Sequence, residues 1–120
     1  MKLQLFGKKF VGENVTVYEG DNKVDRLEFV LDAAEASRLN AAFCNGRLLM
    51  QFSDGTAKAY ELTRDSDNGV VTFSVSVGSE MTGVVGMGRM QLELTFPLNG
   101  AVFHSEPRSF TVLPVLQVTD

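Results

Sequence analysis

Strict alternation of apolar and polar residues is the feature that most limits the folds open to this chain. In segment 90–96 every second residue is apolar and the residues between are polar, as Met-Gln-Leu-Glu-Leu-Thr-Phe. Successive side chains of a strand point to opposite faces, so a period of two gathers the apolar residues on one face. A slip of one residue in register would bury Glu93 instead. The segment therefore predicts a strand with one buried face.

The same period recurs along most of the chain. It predicts further strands at 27–31, 48–52 and 71–77, and shorter ones at 15–18, 58–62 and 109–113. Asp54-Gly55 and Asn68-Gly69 separate or precede these segments, and such pairs are typical of hairpin turns because glycine accepts a positive φ. About seven strands with one apolar face each must bury those faces together. At 120 residues the usual solution is a pair of packed sheets.

The predicted fold is all-β, an immunoglobulin-like two-sheet antiparallel β-sandwich of about seven to eight strands. The chain has one Cys and no Trp, so it lacks the Cys–Trp–Cys signature of antibody domains and the likeness is one of architecture. Two short helical turns interrupt the pattern. Asp32 and Glu35 are spaced as a capping box over an Ala-rich helix, 32–39. Segment 79–83 predicts a second turn, closed by Gly83 in a positive-φ conformation.

The length of 120 residues predicts one domain spanning 1–120. Residues 14–113 form its core. Residues 1–13 precede the first clear strand, and we expect them to be an N-terminal arm or an extra strand. Residues 114–120 follow the last strand as a C-terminal tail.

Charge and composition exclude several classes of function. The net charge is −4, and Lys8-Lys9 is the one adjacent basic pair, so we expect no nucleic-acid partner. One Cys and one His make a zinc site improbable, and no metal or cofactor is predicted. The apolar run at residues 3–6 is too short for a signal-peptide core, and no segment approaches the ~18 apolar residues of a membrane helix. We expect a soluble protein that is not inserted in a membrane.

The candidate catalytic groups are isolated. His104 is followed by Ser105, but neighbours in an extended chain point to opposite faces. Cys44 has no base near it in sequence, which indicates a small buried hydrophobe. Segment 65–69 lacks the ligand spacing of a calcium loop, and the glycines at 83–88 lack the Gly-Lys-Ser/Thr ending of a phosphate loop. No catalytic residue is predicted, and we expect the protein not to be an enzyme.

A carbohydrate-binding β-sandwich module is the alternative, because such modules need no catalytic group. They rely on exposed aromatic side chains that stack on sugars. Here Trp is absent, and two tyrosines, Tyr18 and Tyr60, are available. Most phenylalanines fall on the apolar side of the alternation. This alternative stays open.

Sheet edges and apolar residues outside the alternation are the other means of recognition. Open sandwiches expose edge strands that can pair with another chain. Five apolar residues lie outside the core pattern, and we expect them to contact a partner or a second copy: Phe6, Phe10, Val115, Leu116 and Val118. They could equally cap the end of the sandwich in their own chain.

Several of these segments resemble the N-terminal domain of phage baseplate upper proteins. A strand ending in Gly-Asp, at Val15–Asp21, leads into a second strand at Leu27–Asp32, and the Asp54-Gly55 hairpin follows. The strand Gly69–Val75, the glycine turn and strand within 81–96, and the closing strand Ser109–Val112 are also similar. The resemblance implies an immunoglobulin-like, non-enzymatic component of a phage or prophage tail or baseplate, located in the virion. It also implies other tail proteins as partners and a homo-oligomer, often a trimer.

Overall fold

Two β-sheets pack face to face in the computed structural model, which describes residues 1–118. One sheet contains β1 (Lys2–Phe6), β2 (Lys9–Val11), β4 (Arg26–Leu31), β7 (Thr63–Asp67) and β8 (Val70–Ser76), in the order β2-β1-β4-β8-β7. The other contains β3 (Val15–Tyr18), β5 (Asn45–Gln51), β6 (Ala57–Glu61), β9 (Gly86–Thr95), β10 (Val102–His104) and β11 (Arg108–Leu113). Its order is β3-β11-β9-β5-β6, with β10 also paired to β9. The predicted all-β sandwich is confirmed.

The sheets are mixed rather than wholly antiparallel. β1 runs parallel to β4, and β3 runs parallel to β11, while the remaining pairs are antiparallel. Both parallel pairs join strands that are not connected by a hairpin, so the chain is free to enter the sheet in either direction. Because β1 pairs with β4 and buries Leu3 and Leu5, residues 1–13 are extra strands and not a free arm.

Eleven strands form within residues 1–118, against the seven to eight predicted. The alternation identifies strands that bury one face, and it did not predict three short strands. β2 and β10 have three residues each, too few to show a period. β7 reads Thr-Arg-Asp-Ser-Asp and is exposed throughout, so it carries no apolar signal.

The core lies between the sheets where the alternation places it. Met90, Leu92 and Leu94 of β9 are buried, and the polar residues between them are not. On the opposite sheet Phe29 and Phe73 are fully buried partners in neighbouring strands. Apolar residues of this size each contribute about 1.5–3 kcal/mol on burial. The registers of both sheets are therefore fixed by their inner faces.

The turns and helices agree with the prediction in part. Gly55 (φ 89°) closes the β5–β6 hairpin, and Gly69 (φ 83°) closes the β7–β8 hairpin. α1 (Ala33–Leu39) begins as expected, with Asp32 Oδ1 accepting a hydrogen bond from the Glu35 amide at 2.9 Å. A 3₁₀ turn at Ala41–Phe43 follows it. The prediction of a helical turn at 79–83 is wrong. The segment forms hydrogen-bonded turns without a helix, and Gly83 does not adopt a positive φ.

None of the helical segments within residues 1–118 has the length and apolar character that a bilayer-spanning helix requires.

Candidate interaction surface

The two phenylalanines of the predicted interface lie on opposite faces of the β1–β2 hairpin. Phe6 is about half exposed, at 47%, on the outer face of the five-stranded sheet. Phe10 is buried, with its ring centroid 5.2 Å from that of Phe29. The antiparallel register pairs Phe10 with Leu5, which is an inward residue. The expectation that Phe10 lies outside the core is therefore wrong, because the hairpin turns its side chain into the sandwich.

The three C-terminal residues of the predicted interface are solvent-exposed. Val115 is 45% exposed, Leu116 93% and Val118 84%, and residues 114–118 follow β11 without regular structure. We call residues 115–118 the C-terminal segment. It leaves the six-stranded sheet, whereas Phe6 lies on the outer face of the other sheet. The structure does not bring these residues into one patch.

The outer face of the six-stranded sheet carries a shallow apolar groove that the sequence reading did not find. It has a volume of about 400 Å³, and its apolar lining includes Leu49, Ala57, Ala59 and Pro107. Leu49 is paired with Ala59 on one side and with Gln91 on the other, so the groove runs across β6, β5 and β9. Lys58 and Arg89 also line it. A signal was present: Leu49 is the apolar residue that breaks the alternation of 48–52.

A second exposed apolar cluster lies on the same face, where the C-terminal segment departs. Leu113 at the end of β11 is paired with Tyr18 of β3, and Met87 lies one strand away, opposite Thr111. The side chains of Tyr18, Met87 and Leu113 are all exposed. This face therefore has apolar surface both at its β6 edge and at its β3 end.

A charged cluster occupies the far end of the same face. Arg47 Nε donates to Glu93 Oε1 at 2.8 Å, and His104 Nε2 lies 2.9 Å from Glu93 Oε2. These residues are neighbours across β5, β9 and β10. Burial acts to raise the pKa of Glu93, but the hydrogen bonds and charges of His104 and Arg47 outweigh it, and the pKa is lowered. The cluster holds Glu93 as a carboxylate.

His104 and Ser105 separate as an extended chain requires. The imidazole is exposed beside Glu93, whereas Ser105 is buried and its Oγ accepts a hydrogen bond from the Leu92 amide at 2.9 Å. The two side chains therefore have different partners: a carboxylate on the outer face for His104, and the β9 backbone for Ser105. The geometry does not bring them together as base and nucleophile.

Cys44 is buried, as the sequence indicated. Its Sγ donates to the Asn40 carbonyl at 3.4 Å, and burial raises the pKa of the thiol to about 11. A thiol in this state is a poor nucleophile because the thiolate is scarce at neutral pH.

The other sequence candidates have structural roles. Segment 65–69 belongs to β7 and its hairpin, and within residues 1–118 no three His, Cys, Asp or Glu side chains gather as metal ligands. Tyr60 is half-buried, and its hydroxyl is buried without a hydrogen-bond partner among the described residues. Tyr18 alone of the two tyrosines offers an exposed ring.

Comparison with known proteins gives a likeness of fold. No family model matches the sequence, and no curated protein resembles it closely enough to count as a relative. Among solved structures it is similar to the N-terminal domain of phage TP901-1 ORF48, with a TM-score of 0.51 and 11% identity over 94% of this chain and 95% of that one. At this identity the likeness is one of fold alone. The alignment spans both sheets, so the likeness concerns the whole sandwich.

Proposed function

We propose that this chain is a non-enzymatic assembly module of a phage or prophage tail or baseplate, and hence a virion component. It assembles with further copies of itself and with other tail proteins through the outer face of the six-stranded sheet. The likeness of its fold to a phage protein domain supports the setting. The exposed apolar surface of the six-stranded sheet supports assembly through that face.

The observation that carries the proposal is the apolar groove on the outer face of the six-stranded sheet. The six-stranded sheet presents the groove, the Tyr18–Met87–Leu113 cluster and the C-terminal segment. The five-stranded sheet also exposes Phe6 and Val11, at the β1–β2 hairpin. Elsewhere on its outer face polar groups engage one another, as Lys2 does with Glu28 at 3.8 Å and Arg26 with Ser74 at 2.7 Å. Exposed apolar surface rimmed by polar residues marks interaction sites.

The reactive side chains support a non-enzymatic role. His104 is paired with a carboxylate, the Ser105 hydroxyl closes a backbone hydrogen bond, and the Cys44 thiol is buried with a raised pKa. These contacts join His104 neither to the Ser105 hydroxyl nor to the Cys44 thiol, as a base acting on a nucleophile would require.

Light scattering on the purified chain tests the proposal. We expect a discrete oligomer that Leu49→Glu dissociates, because a carboxylate in the groove cannot be desolvated cheaply. Val11→Glu is the matched control, since Val11 is 57% exposed on β2 of the other sheet. A wild-type chain that stays monomeric at all accessible concentrations, or equal dissociation by both variants, would count against the proposed surface.

A further inference from the structure

We infer that the C-terminal segment of one copy lies extended along the β6 edge of a second copy, with its apolar side chains in the groove. The inference rests on the proposed function and deepens it by naming the partner at this site. One chain carries both halves of the contact. Leu116 and Val118 are more than four-fifths exposed, and the groove formed by Leu49, Ala57 and Ala59 is uncovered among the described residues.

The β6 edge has backbone groups free to receive a strand. The Leu62 amide donates to the Gly46 carbonyl at 3.0 Å, and the Phe52 amide donates to the Thr56 carbonyl at 2.8 Å. Opposed residues of an antiparallel pair alternate between hydrogen-bonded and non-hydrogen-bonded positions. The backbone amides and carbonyls of even-numbered β6 residues therefore point toward β5. The amides and carbonyls of Ala57, Ala59 and Glu61 therefore point away from the sheet. Within residues 1–118 no strand pairs with this edge.

The side chains at this edge also permit close approach. Ala57 and Ala59 are exposed and small, and they share the outer face with Leu49. At the corresponding edge of the other sheet, three of the five β7 residues are charged, Arg64, Asp65 and Asp67, against two in β6, Lys58 and Glu61. Charges on an edge strand discourage pairing. Of the two edges on this side of the sandwich, β6 is therefore the less charged, and it has the small side chains of Ala57 and Ala59.

The C-terminal segment has the sequence of a half-buried strand. It reads Val-Leu-Gln-Val at 115–118 and carries no charge. In an extended conformation Leu116 and Val118 point to one side, which suits a groove on one face of the sheet. Pro114 has no amide hydrogen, so pairing begins after it. Lys58 and Arg89 beside the groove are positively charged, and the next charged residue in the sequence after the segment, Asp120, is negatively charged.

The segment cannot place both Leu116 and Val118 in the groove of its own chain. Met90 in the groove lining is paired with Arg108, and Leu113 lies five residues beyond Arg108, or ~16 Å along the strand. The centre of the groove is two strand spacings across, a further ~10 Å, which gives ~19 Å in all. Leu116 is three residues from Leu113 and reaches ~10 Å. Val118 is five residues from Leu113 and reaches ~17 Å, but Leu116 stays outside. A segment with both side chains in the groove must therefore come from another molecule.

Exchange between two identical chains uses the contact twice. Each copy has one segment and one groove, so a two-fold arrangement forms both contacts at once. A single short segment is small beside the ~800 Å² per partner of a standard interface, and doubling the contact adds edge hydrogen bonds as well as apolar area. Added strands of this kind gain affinity from main-chain bonds and specificity from alternate side chains.

Disulfide trapping between two differently tagged chains tests the inference. One chain carries Leu116→Cys and the other Ala59→Cys, and both substituted positions are exposed. Cys44 stays out of the reaction because it is buried. We expect a mixed disulfide to form at least about tenfold faster than with Leu98→Cys in place of Leu116→Cys. Leu98 is 94% exposed in the turn after β9, and so is a matched control for reactivity.

Three results would overturn the inference. The Leu116→Cys chain could react no faster than the Leu98→Cys control, or one chain carrying both Leu116→Cys and Ala59→Cys could close an intramolecular disulfide. In either case, an oligomer that light scattering detects and Leu49→Glu dissociates would leave the proposed function standing. The third result, a wild-type chain that is monomeric at all accessible concentrations, would contradict both the inference and the proposed function.

Discussion

The hydroxyl of Ser105 completes the backbone ladder at Leu92. The Leu92 amide donates to Ser105 Oγ at 2.9 Å, and the Ser105 amide donates to the Leu92 carbonyl at 3.0 Å. β9 pairs with β11 over residues 86–90 and with β10 over 93–95, so Leu92 lies where one partner strand gives way to the next. The side-chain oxygen stands where a strand carbonyl would otherwise accept the bond.

Replacing Ser105 with Ala should destabilise the fold by about 1–3 kcal/mol, because the buried Leu92 amide would lose its acceptor. Urea unfolding followed by circular dichroism measures the change. Ser109→Ala is the control, since Ser109 lies on the outer side of β11 and should change stability by less than about 0.5 kcal/mol. Similar losses for the two variants would contradict a special role for the Ser105 hydroxyl.

Phe6 and Phe10 should respond differently to truncation. Phe10→Ala removes a buried ring that packs against Phe29, and we expect a loss of about 3–5 kcal/mol. Phe6 is exposed on the outer face, so Phe6→Ala should cost less than about 1 kcal/mol. Thermal unfolding of both variants at low protein concentration checks this. A larger loss for Phe6→Ala would mean that the hairpin is turned the other way.

The stability that Glu93 contributes should be lost in acid. Its pKa is lowered in the folded state, so the carboxylate stabilises the fold fully above the unfolded-state pKa, and this contribution disappears as the pH falls through the folded-state value. Urea midpoints at pH 5.5 and pH 3 for wild type and Glu93→Gln measure it. The difference between the two proteins should be larger at pH 5.5. A difference that grows on acidification would contradict a stabilising role for the Glu93 carboxylate.

Gly88 is required by a close backbone approach. A Cβ at this position would lie 2.5 Å from the Gln51 carbonyl oxygen, a backbone atom that cannot swing away. Gly88→Ala should therefore cost about 1–3 kcal/mol, as overpacking usually does. Gly83→Ala is the control, because the nearest atom there is 3.6 Å away and φ is not positive. Chemical denaturation should leave this control near wild type.

Cys44 should resist thiol reagents until the chain unfolds. Burial limits access and raises the pKa of the thiol to about 11, so little thiolate exists at pH 8. We expect labelling of the native protein to be slower than that of the urea-unfolded protein by at least about a hundredfold. Mass spectrometry of timed samples measures both rates, and rapid native labelling would contradict the buried placement.

The strands that build the core could be predicted because burial imposes a period on the sequence. Segment 90–96 and its counterparts alternate since one face of each strand must leave water. β7 could not be predicted, because its exposed residues are under no such constraint. The direction of β1 and β3 was also hidden, since a parallel neighbour is chosen by residues far away in the chain.

The candidate surface shows the same division. The exposed C-terminal segment could be anticipated from apolar residues beyond the last alternating strand, and Leu116 and Val118 are exposed. Phe10 looked equivalent to Phe6 in sequence, yet the hairpin register buries one and exposes the other. The groove was not foreseen because Leu49, Ala59 and Pro107 come from separate segments.

The sequence by itself determined the inner faces of the strands, their turns and the class of the fold, because burial and glycine geometry act on neighbouring residues. Only the tertiary structure decided which strands became neighbours, which outer face formed the apolar groove, and that no strand within residues 1–118 pairs with the outer edge of β6. Those outcomes depend on contacts between distant segments, and no local pattern encodes the partner that a strand will find.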